Sequence, residues 1–150
     1  VRSGTLHTPA IAAFATAAEI AQTRLNENAI RIRALREQLI AGVLRAVPEV
    51  RLNGGANTLP GIAHFTFAGA EGDALLLLLD AQGVQCSTGS ACSAGIAQPS
   101  HVLLAMGMAP KVARSSIRFS IGTTTTAAEI DLAITVIGEV VSRARAAGVK

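Results

Sequence analysis

Apolar residues recur at steps of three and four from Ile11 to Leu39. Ile11, Phe14, Ala18, Ala21, Leu25, Ile32, Leu35 and Leu39 fall on one face, with Asn28 the one polar member of the seam. That spacing predicts one long helix, or two nearly collinear ones, ending before Pro48. Thr8 is expected as its N-cap and Pro9 at the first helical position, where a missing N–H is no loss. A seam of this kind is expected to be core. Its arginines, Arg24, Arg31, Arg33, Arg36 and Arg45, alternate with acids and read as a solvated face.

The period then changes to two. Glu49 to Leu52 is a short strand candidate, followed by a turn at Asn53-Gly54-Gly55. In the next strand Ala63, Phe65 and Phe67 face one way, and Ile62, His64 and Thr66 the other. His64 reads there as a structural or surface residue. Glu71 to Ala81 predicts a helix with acids in its first turn, ended by Gly83. Val84 to Cys86 predicts a brief strand, and Pro99 a helix through Met106, stopped by Gly107. Ile117, Phe119 and Ile121 alternate with Arg118 and Ser120, a half-buried strand. Thr126 and Glu129 form a capping box. The last helix buries Ile130, Ile134, Ile137 and Val141. The expected fold is α/β, more narrowly an α+β unit: a long helix, then a small, mostly antiparallel sheet covered by helices.

Composition narrows the function. The chain is 50% hydrophobic and 15% charged, enough to fill a core. It has no Trp and no Tyr, so aromatic platforms for single-stranded nucleic acid are not available. The net charge of +3 is modest, and no direct nucleic-acid partner is expected. The apolar run from Ala74 to Leu79 is far too short to cross a bilayer. Cys86 and Cys92 fit neither a secreted disulfide framework nor, with the scattered His7, His64 and His101, a zinc site. A reducing, cytoplasmic setting is the expectation. Val1-Arg2-Ser3-Gly4-Thr5 has no initiator Met or signal peptide and reads as the middle of a longer protein.

Three segments could carry chemistry. Between Gln85 and Gly95 no apolar side chain exceeds alanine in size apart from the two cysteines, so a mobile surface loop is expected around Cys92. A thiol on such a tether suits sulfur carriage or thiol exchange. The rival reading of Cys92 is a small buried hydrophobe. No nearby basic side chain would lower its pKa. Cys86, at the end of a strand candidate, reads as buried. Arg118 stands mid-strand, where its planar fork could grip a carboxylate or serve a structural ion pair. Arg2-Ser3-Gly4-Thr5 joins a cation, two hydroxyls and a permissive glycine beside a helix start. That suits a phosphate, although such polar runs are common in loops.

Four motifs together carry a resemblance. They are Arg2-Ser3-Gly4-Thr5-Leu6, Ser87-Thr88-Gly89-Ser90-Ala91-Cys92-Ser93, Pro99-Ser100-His101-Val102-Leu103 and Ser116-Ile117-Arg118-Phe119-Ser120-Ile121-Gly122. In order and spacing the chain resembles the C-terminal part of the pyridoxal-phosphate-dependent cysteine desulfurases. The matching branch is that of iron–sulfur-cluster assembly and nitrogen fixation, and the fold implied is the C-terminal part of the fold-type I transferases.

The resemblance implies that Cys92 is the catalytic cysteine that becomes a persulfide, and that Arg118 binds the substrate carboxylate. It implies that Thr5 reaches the cofactor phosphate of the other subunit of a homodimer, framed by Ser3 and Gly4. Residues 1–46 would end the large cofactor domain, and residues 47–150 would form the small domain with the thiol loop. L-Cysteine would be converted to L-alanine. The sulfur would pass to an iron–sulfur scaffold or a transfer-RNA thiolation enzyme, and Cys92 could transiently share a cluster with a scaffold. No other metal is implied. The cofactor-anchoring lysine, its neighbouring histidine, the aspartate under the pyridine nitrogen and the stacking histidine have no counterpart here. Lys111 and Lys150 lie in no matching motif. The chain alone is therefore expected to be inactive and to lack the cofactor. Thr123 to Thr126 replaces the family's usual basic and aromatic pair. A stand-alone thiol carrier or redox module, an inert structural domain, and a selenocysteine lyase of the same fold are the alternatives.

Overall fold

Alternating apolar positions build a three-stranded antiparallel sheet in the order β1 (Val50–Leu52), β2 (Ile62–Phe67), β3 (Ser116–Ser120). The computed structural model describes residues 4–89 and 98–148. In the central strand Phe65 pairs with Leu52 on one side and with Ile117 on the other, while His64 lies opposite Arg118. Side chains alternate across a strand. Ala63, Phe65, Phe67, Ile117 and Phe119 therefore share one face, and all are buried. The Phe65 ring lies 5.9 Å from that of Phe67 and 6.1 Å, edge-on, from that of Phe119, separations at which aromatic rings attract one another.

Helices cover this face. α2 (Leu25–Ala46) contributes Leu35, Leu39, Ile40 and Val43. α3 (Gly72–Asp80) adds Leu75 and Leu79, and α6 (Ala127–Gly148) adds Ile130, Ile137, Val140 and Val141. This is the expected α/β arrangement of a small antiparallel sheet under helices. At Gly42 of α2 an added Cβ would overlap the Ile134 side chain of α6. A mid-helix glycine costs about 1 kcal/mol relative to alanine, and the close approach of these helices is what requires it. The expected capping box opens α6. Glu129 Oε2 accepts from the Thr126 amide at 2.7 Å, and Thr126 Oγ1 accepts from the Glu129 amide at 3.3 Å. The Thr126 amide, and then the Thr126 hydroxyl donating to the same Glu129 Oε2 at 2.9 Å, hold the Glu129 carboxyl below its usual range.

The first seam forms two helices, α1 (Thr8–Thr23) and α2, separated by Arg24, one of the two expected forms. Several other local expectations are corrected. His7, not Thr8, caps α1: its Nδ1 accepts from the Ala10 amide at 3.1 Å. No residue of α1 is buried, and Ile11 and Phe14 are 53% and 77% exposed. The seam is core only along the second half of α2, where the sheet lies beneath it. Arg36 is not on a solvated face. It is buried, its Nε donates to the Ile62 carbonyl at 2.6 Å, and its guanidinium pairs with Glu37. The arrival of β2 beneath α2 gives that guanidinium its carbonyl partner.

Val84 to Cys86 forms no strand; Ser87 alone bridges to Arg118. The Pro99 helix starts later, as α4 (His101–Ala105), because Ser100 keeps ψ at 120°. A short helix that the periodicity did not reveal, α5 (Pro110–Ala113), precedes β3.

Candidate active site

β3 carries Arg118 on the face turned away from the phenylalanine core. Its backbone is engaged on both edges. β2 pairs with it on one side. On the other, the Arg118 amide donates to the Ser87 carbonyl at 2.7 Å, and the Ser87 amide donates to the Arg118 carbonyl at 3.0 Å. The side chain is exposed, and among the described residues it makes no ion pair. A strand locked on both edges thus presents a guanidinium that no acid neutralises.

A cavity of about 280 Å³ opens at this guanidinium. His64, His101, Ser100, Asn53 and Gly89 share its wall with Arg118, and Val102, Leu103 and Met106 supply apolar surface from α4 and the residue after it. No carboxylate lines it. An anion entering here meets a cation and several hydrogen-bond donors without a competing acid.

Behind His64 runs a chain of polar contacts. His64 Nδ1 lies 3.0 Å from Asn53 Nδ2, which also donates to Thr66 Oγ1 at 2.8 Å. The Thr66 hydroxyl meets that of buried Ser116 at 2.8 Å. Burial, and then the Arg118 charge, push the His64 pKa below its ordinary 6.5, so the imidazole is neutral at neutral pH. His64 read from sequence as a bland position; the register that sets it against Arg118 made it part of the site. Asn53 was legible only as a turn residue.

The other expected site residues fall in different places. Arg2, Ser3 and Cys92 lie outside the described residues. Gly4 and Thr5 are exposed ahead of α1, do not line the Arg118 cavity, and Gly4 has a φ of 140° that suits glycine. Cys86 is half-buried against the core, less than the burial expected of it, and its thiol is pushed up to about 11 by burial and then by the Asp80 charge. It is almost fully protonated at neutral pH, a poor nucleophile. Among the described residues no cluster of three or more His, Cys, Asp or Glu side chains could hold a metal ion. No described helix is long and apolar enough to cross a membrane.

Residues 1–132 match the class-V aminotransferases, and the chain belongs to that family. Its relatives include an IscS-like cysteine desulfurase of Mycobacterium tuberculosis, 53% identical over 149 residues, which are 98% of this chain and 38% of that protein. Cysteine desulfurase IscS of an Anaeromyxobacter species is 40% identical over 145 residues, 96% of this chain and 35% of the relative. The chain thus spans little more than a third of the relatives it matches. Among solved structures, a NifS-like protein from Rickettsia africae superposes with a TM-score of 0.81 at 31% identity, over 95% of this chain and 37% of that one.

Class-V aminotransferases employ pyridoxal phosphate, whose covalent anchor is a lysine amine. Lys111, the lysine among the described residues, is exposed on α5 and lines a separate cavity of about 630 Å³ with Glu71 and Ser115. The Arg118 cavity contains no lysine. Around the Arg118 cavity the described residues offer a cation and neutral hydrogen-bond donors to an anion, and no lysine amine for that anchor.

Proposed function

We infer that the whole protein is a cysteine desulfurase that converts L-cysteine to L-alanine and keeps the sulfur as a persulfide on Cys92. The observation that carries this reading is the double backbone bond between Ser87 and Arg118. It joins the start of the segment leading to Cys92 to a guanidinium that fronts an acid-free cavity. Arg118 would grip the substrate carboxylate through its two-pronged fork, which fixes the amino acid relative to the thiol. Pyridoxal phosphate, anchored by residues outside this chain, would supply the electron sink at the substrate α-carbon. Thr5, framed by Ser3 and Gly4, would reach the cofactor phosphate of the second subunit in a homodimer. Residues 1–46 would close the large cofactor domain, and 47–150 would form the small one, with the second half of α2 packed into the latter's core.

The reading extends to a cytoplasmic enzyme that hands sulfur to an iron–sulfur scaffold or another acceptor protein. The cysteine desulfurase names of the relatives support it, and the family match speaks against a self-contained thiol carrier. Cys92→Ala in the full-length protein tests it. The variant should keep the pyridoxal absorbance band and lose persulfide formation, read by mass spectrometry after incubation with L-cysteine. Catalytic sulfide release by the variant would remove Cys92 from its role.

A further inference from the structure

The imidazole of His64 is held in one tautomer by geometry. An amide nitrogen can only donate, and Asn53 Nδ2 lies 3.0 Å from His64 Nδ1. The Asn53 amide is itself oriented: its Oδ1 accepts from Arg51 Nε at 3.3 Å, and its Nδ2 also donates to Thr66 Oγ1 at 2.8 Å. A flipped amide would set N–H against N–H at Arg51. Nδ1 of His64 is therefore an acceptor, and in the neutral ring the proton is on Nε2. That Nε2–H has no hydrogen-bond partner among the described residues, and the ring lines the Arg118 cavity. His64 and Arg118 stand directly opposite one another on paired strands, which brings their side chains together on one face.

We propose that His64 is a second binding residue for the substrate carboxylate, its Nε2–H donating to one oxygen while Arg118 holds the anion from the neighbouring strand. Asn53 is the positioning residue that presents this donor. The inference rests on the desulfurase reading and adds a residue that sets affinity for α-amino acids. A neutral donor beside the cation strengthens the grip on a carboxylate without making the cavity more positive, so rejection of side-chain cations is left to Arg118. Low basicity of the ring supports the arrangement, because an imidazolium would lose the Asn53 contact and crowd the guanidinium.

Two substitutions in the full-length holoprotein separate binding from scaffolding. Asparagine at 64 places an amide oxygen near the site of Nδ1 and keeps a partner for Asn53, but does not reach the cavity. Glutamine places its amide N–H near the site of Nε2. His64→Asn should raise the KM for L-cysteine about tenfold, the effect of losing one hydrogen bond to a charged group, with the loss concentrated in KM rather than kcat. It should weaken L-alanine binding, read by calorimetry, by a similar factor. His64→Gln should recover most of both. Full affinity in His64→Asn, or equal losses in the two variants, would overturn the proposal. A wild-type protein that forms no alanine from L-cysteine would instead overturn the desulfurase reading, and L-alanine calorimetry on the same variants would still decide whether His64 binds a carboxylate.

Discussion

Cys86 should alkylate slowly and with a steep pH dependence, because the fold keeps its thiol protonated. Burial and the Asp80 carboxylate push it up to about 11. At pH 7.5 an ordinary thiol of pKa near 8.5 is about 9% thiolate, while one at about 11 is ~0.03% thiolate, a deficit of about 300-fold. The more basic thiolate is the better nucleophile, and a Brønsted coefficient of about 0.4–0.5 returns roughly 10- to 18-fold of that. The net disadvantage is about 20-fold before any shielding by the half-buried position. Iodoacetamide labelling followed by peptide mass spectrometry reads it directly. The Cys86 rate should climb about tenfold per pH unit from 7.5 to 9.5, while that of a free cysteine flattens above about 8.5. A Cys86 rate equal to that of free cysteine at pH 7.5, or a plateau below pH 9.5, would refute the argument. Folding stability follows with a definite sign. The unfolded thiol ionises near the ordinary value of about 8.5 and the folded one near 11. The folded state then binds the extra proton, so stability declines as pH rises through that window and is unaffected by this group below it.

Two further outcomes test the frame around the site. Arg118→Ala in the full-length protein should cut kcat/KM for L-cysteine about 10- to 150-fold, the equivalent of a 1.5–3 kcal/mol charge-assisted contact; unchanged kinetics would count against its role. Gly42→Ala should lower the melting midpoint. Overpacking against Ile134 costs about 1–3 kcal/mol and helix propensity returns about 1. Ile134→Ala in the same chain should be non-additive with it, and a higher midpoint for Gly42→Ala alone would contradict the close helix approach.

Much of the fold was legible because it is written in local periodicity. Phe65, Phe67, Ile117 and Phe119 announce their face by alternation, and Thr126 with Glu129 announce a helix start three residues apart. What was misread depends on partners distant in sequence. The seam of α1 has the same spacing as that of α2, and spacing says which residues share a face but not what covers it. Ile11 and Phe14 are thus exposed, while Leu35 and Leu39 are core. Arg36 looks like its neighbours until the Ile62 carbonyl, 26 residues away, arrives to accept from it. The site divides in the same way. Arg118 stood out by its type and place in a strand. His64 and Asn53 did not, because their meaning comes from a strand register that pairs position 64 with 118.

The Ser87–Arg118 bridge also sets a leash. Five peptide units separate Ser87 from Cys92, and a fully stretched chain spans at most about 3.6 Å per residue, or about 18 Å in all. Since Ser87 is fastened to the strand that bears the guanidinium, that radius is centred on the proposed substrate cavity. In the desulfurase proposed above, an acceptor for sulfur carried on Cys92 would not wait at the far side of the molecule. Its own reactive group would have to be brought inside this sphere, and the geometry of delivery would be set by how closely a second protein seats itself over the outer edge of β3.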